Sequence, residues 1–225
     1  MLKITAELSA LKDENFKEFN KKIIPDSKKP MLGVKLPKIR GIVNKTDSFD
    51  DAKAFFNSEH VYFEEVMAHG LLIAKFCKNA ADFTYLDEFL PQIDNWAICD
   101  TTATSIKKLA KNETSLWQHV IKWLKSDKIY TIRFAIVCLL AFFSEKKYSD
   151  RIIELVLSVK HGEYYVDMAI AWLLSVMLIK DYESAVNLLE RKILPRFIQN
   201  KTIDKARDSF RIENNKKIYL KTLKV

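Results

Sequence analysis

Two stretches of this chain are apolar enough to form buried helices, and each carries a single charge. Across Ile129 to Phe143 (IYTIRFAIVCLLAFF) that charge is Arg133; across Tyr164 to Ile179 (YYVDMAIAWLLSVMLI) it is Asp167. Breaking a buried ion pair costs roughly 3–5 kcal/mol, so neither charge can stand alone in a core. Each must pair with a neighbouring helix or face a groove. Upstream, NWAICD sets Trp96 and Asp100 four residues apart, which places both on one helix face. Arg133 lies 33 residues beyond Asp100, and Trp172 lies 39 beyond Arg133. Tyr165 precedes Trp172 by seven residues, two turns away on the same face. A carboxylate beside a sugar can stabilise the positive charge that develops as a glycosidic bond breaks. A guanidinium holds phosphate with a planar fork, and indole faces suit a cation or a sugar C–H surface. The plainer reading of the same residues is structural: tryptophans in a core, with Arg133 and Asp167 in inter-helix salt bridges.

The elements that carry these residues follow from periodicity and from a shortage of turn formers. The chain has 4 glycines and 5 prolines in 225 residues, too few for hairpins or α/β crossovers but enough for helix pairs joined by short polar loops. A first pair is expected over Leu2–Leu11 and Asn15–Ile24. A long loop follows over Asp26–Leu36, with Pro30 and Gly33 as breakers, and a helix restarts near Pro37. Asp50–Asn57 forms a short outer helix. Long apolar helices then follow polar residues at Ser58, Asp94, Asp127 and Gly162, at intervals of 36, 33 and 35 residues. Second helices lie between them, over Phe83–Ile93, Glu113–Lys125 and Ser149–Lys160, and a more charged last pair is expected over Asp181–Ile198 and Ile203–Leu223. Helix pairs at a period in the mid-thirties, without a tetratricopeptide consensus, predict an all-α, right-handed solenoid of HEAT-like antiparallel pairs. Residues 1–225 would form a single domain with a concave groove. Residues one repeat apart would sit side by side on adjacent inner helices, so Trp96, Asp100, Arg133 and Trp172 would converge on the concave surface.

Composition narrows the function classes. At 48% hydrophobic and 29% charged, the chain is neither disordered nor membrane-spanning, and its two most apolar runs are too short to cross a bilayer. The N-terminus has no apolar stretch of the kind a signal peptide needs. A cytoplasmic monomer is expected. The net charge of +8 favours a polyanionic partner. Cys77, Cys99 and Cys138 are odd in number, far apart and inside apolar stretches, and none has metal-ligand spacing to His60, His69, His119 or His161. They read as buried free thiols, with no metal and no cofactor.

At these residues the chain resembles the AlkD-like DNA alkylation-repair family of HEAT-repeat glycosylases. The resemblance rests on GVKLPKIRGI at Gly33–Ile42, the WxxxD of Trp96 and Asp100, TIRFAIV around Arg133, and YYVDMAIAWLL at Tyr164–Leu174. It implies a monofunctional hydrolase that cleaves the N-glycosidic bond of cationic alkylated purines, 3-methyladenine and 7-methylguanine, in double-stranded DNA. In that scheme Asp100 stabilises the oxocarbenium-like sugar and positions the attacking water. Trp96 and Trp172 flank the deoxyribose and the lesion. Arg133 holds the adjacent phosphate, and Tyr165 lies on the backbone path. Lys107 and Lys108 are expected to add DNA contacts. Tyr164 and Tyr165 stand where phenylalanines are expected. The alternative is a non-catalytic HEAT-repeat scaffold that binds DNA structures or a protein partner.

Overall fold

The computed structural model describes residues 3–225, and every element among them is helical. The expected start of the first helix at Leu2 lies outside the described residues. The helices are α1 (Lys3–Ala10), α2 (Glu14–Ile23), α3 (Leu36–Lys45), α4 (Phe49–Phe56), α5 (Phe63–Phe76), α6 (Phe83–Phe89), α7 (Trp96–Ser105), α8 (Glu113–Leu124), α9 (Ile129–Phe142), α10 (Ser149–Ser158), α11 (Tyr164–Lys180), α12 (Tyr182–Glu190), α13 (Arg196–Asp208) and α14 (Asn214–Thr222). They fall into two compact units, residues 1–118 and 119–225, with the boundary inside α8.

In the first unit α1, α3, α5 and α7 pack in succession, with α4 and α6 against α5. In the second, α11 lies between α9 and α13, with α12 also against α11 and α14 against α13. The helices α5, α9 and α11 are buried almost all round, whereas α10 and α12 keep an exposed polar face. The division matches hydrophobic patterning, since an element covered on all sides needs no polar stripe.

Side-chain bonds to backbone recur at separations of 31 to 33 residues. Lys75 Nζ reaches the Val43 and Asn44 carbonyls at the end of α3 (3.1 and 2.8 Å). Lys108 Nζ reaches the Lys75 carbonyl at the end of α5 (2.6 Å). Arg133 Nη1 reaches the Tyr165 carbonyl (2.7 Å). The first two give the orphan carbonyls at the ends of α3 and α5 a cation from α5 and from just beyond α7, which also suits the helix dipole. Close approach is needed as well. A Cβ on Gly70 of α5 would lie 2.1 Å from Thr102 Oγ1 of α7, so only glycine allows these two helices their spacing.

The long loop before α3 is held in place by a buried acid. Glu64, fully enclosed at the start of α5, accepts from the backbone N–H groups of Leu32, Gly33 and Val34 at 2.9, 2.7 and 3.1 Å. Three donors are what a buried carboxylate requires in place of water. Gly33 takes φ +82°, and a Cβ there would lie 2.0 Å from the Asp13 carbonyl oxygen. The GVKLP segment is therefore glycine-initiated for conformational and steric reasons together.

The terminal region departs from the expected boundaries. In place of helices over Asp181–Ile198 and Ile203–Leu223, three helices occupy it, α12, α13 and α14. Lys192 adopts φ 51°, and Pro195 follows, where its missing N–H and the restriction it imposes on the preceding residue break the chain between α12 and α13. The polar run Gln199–Thr202 does not break it. Gln199 and Thr202 are fully buried, and Gln199 Nε2 donates to the carbonyls of Leu189 (2.8 Å) and Leu223 (3.0 Å).

Candidate active site and nucleic-acid interface

The α7 helix starts at a rigid cap. Asn95 is wholly buried, its Oδ1 accepts from Ile98 N–H (3.1 Å), and its Nδ2 donates to Asp94 Oδ1 (2.7 Å). Asp94 in turn accepts from Lys28 N–H (2.7 Å), tying the long loop to this helix start. Ile98, Cys99, Thr102 and Ala103 form the buried stripe of α7. Trp96 and Asp100 occupy the other face, both half-buried. The Trp96 indole N–H donates to the Ile23 carbonyl at the end of α2 (3.1 Å), which fixes the ring by its edge. The expected pairing of indole and carboxylate on one face, one turn apart, is present.

In the second unit Arg133 is 7% exposed. Besides its bond to the Tyr165 carbonyl, its guanidinium lies 6.0 Å from the centroid of the Tyr165 ring. Along α11 the half-buried positions are Tyr165, Met168, Trp172, Val176 and Ile179, spaced three or four apart. Tyr165 and Trp172 thus share the single less-buried stripe of an otherwise enclosed helix. Both belong to α11, the helix that packs against the one bearing Arg133.

Asp167 takes the opposite side and the structural role. Its carboxylate is buried and accepts from the Gly162 N–H (3.1 Å to Oδ2), with His161 Nδ1 at 3.9 Å. It therefore fastens the turn that begins α11, and Gly162 makes that turn at φ +109°. Burial pushes the Asp167 carboxyl up, against the opposing pull of the Gly162 bond and His161. Asp167 is thus anchored within its own helix start instead of bridging to a neighbouring helix.

Lys107 and Lys108 are exposed just beyond α7, and Lys108 is engaged at the C-terminus of α5 as described. Further residues join Arg133 and Tyr165 without a signal in the sequence pattern. The Tyr130 and Tyr165 rings lie 5.5 Å apart, Tyr164 lies 5.1 Å from Tyr165, and Phe197 lies 5.8 Å from Tyr164. Lys205 of α13 has its ammonium pKa lowered, first by burial and then by the like charges of Lys201 and Arg133. Both Phe197 and Lys205 sit on the helix whose boundaries the sequence pattern misplaced. An aromatic at the first turn after a Leu-Pro break is the one cue that could have marked Phe197.

The three cysteines are buried and free, as expected, and burial raises the Cys77 thiol to about 12. Among the described residues, no group of three His, Cys, Asp or Glu side chains could hold a metal, and no helix is long and apolar enough to cross a membrane.

Compared with known proteins, residues 4–205 match the model of the family described as DNA alkylation repair enzyme. No curated protein matches the chain.

Proposed function

The chain belongs to the DNA alkylation repair enzyme family, and from that premise we propose that it is a monofunctional DNA glycosylase releasing cationic alkylated purines from duplex DNA. The observation that carries this reading is the α7 pair. A half-buried Asp100 shares a helix face with Trp96, whose ring is held by its edge. A purine alkylated at N3 or N7 is already cationic. It leaves with the electron pair of the C1′–N bond and needs no general acid. The positive charge passes to the sugar, where Asp100 stabilises it and positions the water that adds to C1′. Trp96 and Trp172 offer faces to the deoxyribose and the charged base. Arg133, with Tyr165 beside it, takes a backbone phosphate. Lys107 and Lys108 add phosphate contacts. The alternation of packed helices within each unit, and the hydrogen bonds at separations of 31 to 33 residues, support reading both units as HEAT-like helix pairs.

One observation favours a second reading, a non-catalytic scaffold for DNA structures. Arg133 is nearly enclosed and bonded to a helix carbonyl, as a structural arginine would be.

The test is release of 7-methylguanine and 3-methyladenine from methylated duplex, wild type against Asp100→Asn. The variant keeps the shape and loses the charge. We expect release to fall at least 100-fold, with DNA affinity unchanged or slightly improved, because the carboxylate repels phosphate in the ground state. Hypoxanthine, a neutral base, should be a poor substrate. A wild type that releases no alkylated base removes the glycosylase reading and leaves the scaffold.

A further inference from the structure

The last helix hairpin, from the end of α13 through α14, lies after the segment that matches the family. It is firmly attached. Ile212, Leu220 and Leu223 are buried, Gln199 donates to the Leu223 carbonyl, and Asn200 exchanges two hydrogen bonds with Val225 (2.8 and 3.0 Å). Its outer side carries exposed apolar side chains. Phe210, in the turn between the two helices, is fully exposed (103%), Ile218 is 70% exposed, and Tyr219 is exposed as well. Burying such side chains is the ordinary outcome of folding, and three of them on one short hairpin mark a contact surface.

The charges around them are sorted. Lys216 pairs with Glu213 (3.9 Å), and Lys224 pairs with Asp204 (2.5 Å). Arg207, Arg211, Lys217 and Lys221 have no acid within ion-pair distance among the described residues. Arg207, Lys217 and Lys221 line an open groove of about 610 Å³ between α13 and α14, together with Ile218, Asn214 and the acids Asp204 and Asp208. Lys217 and Lys221 stand one turn apart on the same face of α14. Uncompensated cations flanking exposed apolar side chains fit a polyanion that also offers flat or apolar surface. Duplex DNA does so, through its phosphates and the sugar and base edges of its grooves.

We propose that this hairpin is a second DNA-contact surface, outside the catalytic residues, in which Arg207, Arg211, Lys217 and Lys221 bind the phosphate backbone and Phe210 packs into the adjacent groove. The proposal rests on the reading of the chain as a DNA-binding repair protein. It assigns the hairpin to affinity and leaves base removal to Asp100.

The experiment uses the full chain and an unmodified labelled duplex, titrated at several salt concentrations. The quadruple variant Arg207→Ala/Arg211→Ala/Lys217→Ala/Lys221→Ala should melt like the wild type, since its side chains leave no buried partner. It should bind about 10- to 100-fold more weakly near 0.1 M salt, with the slope of log K against log salt reduced by roughly 2–4. Phe210→Ala should weaken binding without changing that slope, which separates the apolar contact from the ionic ones. Release of 7-methylguanine at saturating protein should match the wild type in both variants. If the wild type binds duplex and the quadruple variant binds it equally well with the same slope, the hairpin proposal fails while the DNA-repair reading stands. If the quadruple change abolishes binding to phosphatidylserine vesicles and leaves duplex binding intact, the surface belongs to a membrane and the proposal is overturned. A wild type that binds no duplex at low salt overturns both.

Discussion

Arg133 has a visible place in the fold and, in the proposed function, a phosphate to hold. Its bond to the Tyr165 carbonyl sets the guanidinium beside an aromatic ring. Arg133→Ala should weaken duplex binding by about tenfold or more and destabilise the fold by about 1.5–3 kcal/mol, the order of one hydrogen bond to a charged group. Melting temperature and affinity measured on the same variant check this. A loss of 3–5 kcal/mol with unchanged affinity would make Arg133 half of a buried structural pair. A second residue-scale expectation concerns pH. His60 Nε2 and His69 Nδ1 lie 2.8 Å apart in the core, with His60 stacked on Phe55, His69 stacked on Phe56, and Phe89 tilted against His69. Burial drives the His69 pKa down to about 3, with a further push from His60, and burial lowers His60 too. Folded values below the unfolded 6.5 mean that the unfolded chain takes up the protons as pH falls. The stability contributed by the neutral pair is therefore present above pH 6.5 and is lost on acidification, at up to about 1.4 kcal/mol per pH unit for each histidine. Chemical denaturation from pH 7 to pH 4 should show this loss, and His69→Phe should flatten it.

At the scale of elements, the geometry of α7 depends on residues remote from Asp100. Gly70 sets the separation of α5 and α7 by removing the atom that would meet Thr102. Gly70→Ala must displace α7 or strain both helices, at about 1–3 kcal/mol for an overpacked contact. Base release should fall by more than the folded fraction does, because a shift of about 1 Å in a positioned group can cost 100-fold in rate. Activity at saturating substrate, compared with the far-ultraviolet circular dichroism of the same sample, separates the two effects. If activity follows the folded fraction alone, α7 is not the element that positions the reacting group. The same long loop is held against α5 by the Glu64 nest and against the start of α7 by the Asn95–Asp94–Lys28 chain.

For the whole molecule, a net charge of +8 on 225 residues is a long-range attraction toward DNA, whichever residues make the final contacts. Duplex binding should weaken steeply with salt, with log K falling by about 0.9 per phosphate neutralised for each unit of log salt. Titration between 50 and 200 mM salt checks this. An affinity that stays flat across that range would remove the nucleic-acid reading.

Periodicity by itself determined the helices from α1 to α11 and the 33- to 36-residue spacing of the long apolar ones, because hydrophobic spacing and breakers are local properties of a chain. It also determined that Trp96 and Asp100 share a face, as do Tyr165 and Trp172, since 3.6-residue geometry alone decides this. Tertiary structure decided everything that depended on a partner distant in sequence. Asp167 and Arg133 look alike as lone charges in apolar helices, yet one caps the turn that starts its own helix and the other reaches the helix next door. Burial of a charge says only that a partner exists, and which partner is a matter of three-dimensional packing. Gln199–Thr202 read as a polar break and proved to be the buried middle of α13, because Gln199 finds carbonyls from Leu189 and Leu223 that no local pattern reveals. That misplaced boundary hid Phe197 and Lys205, two neighbours of the Arg133–Tyr165 site that only the packing of α13 against α11 brings there.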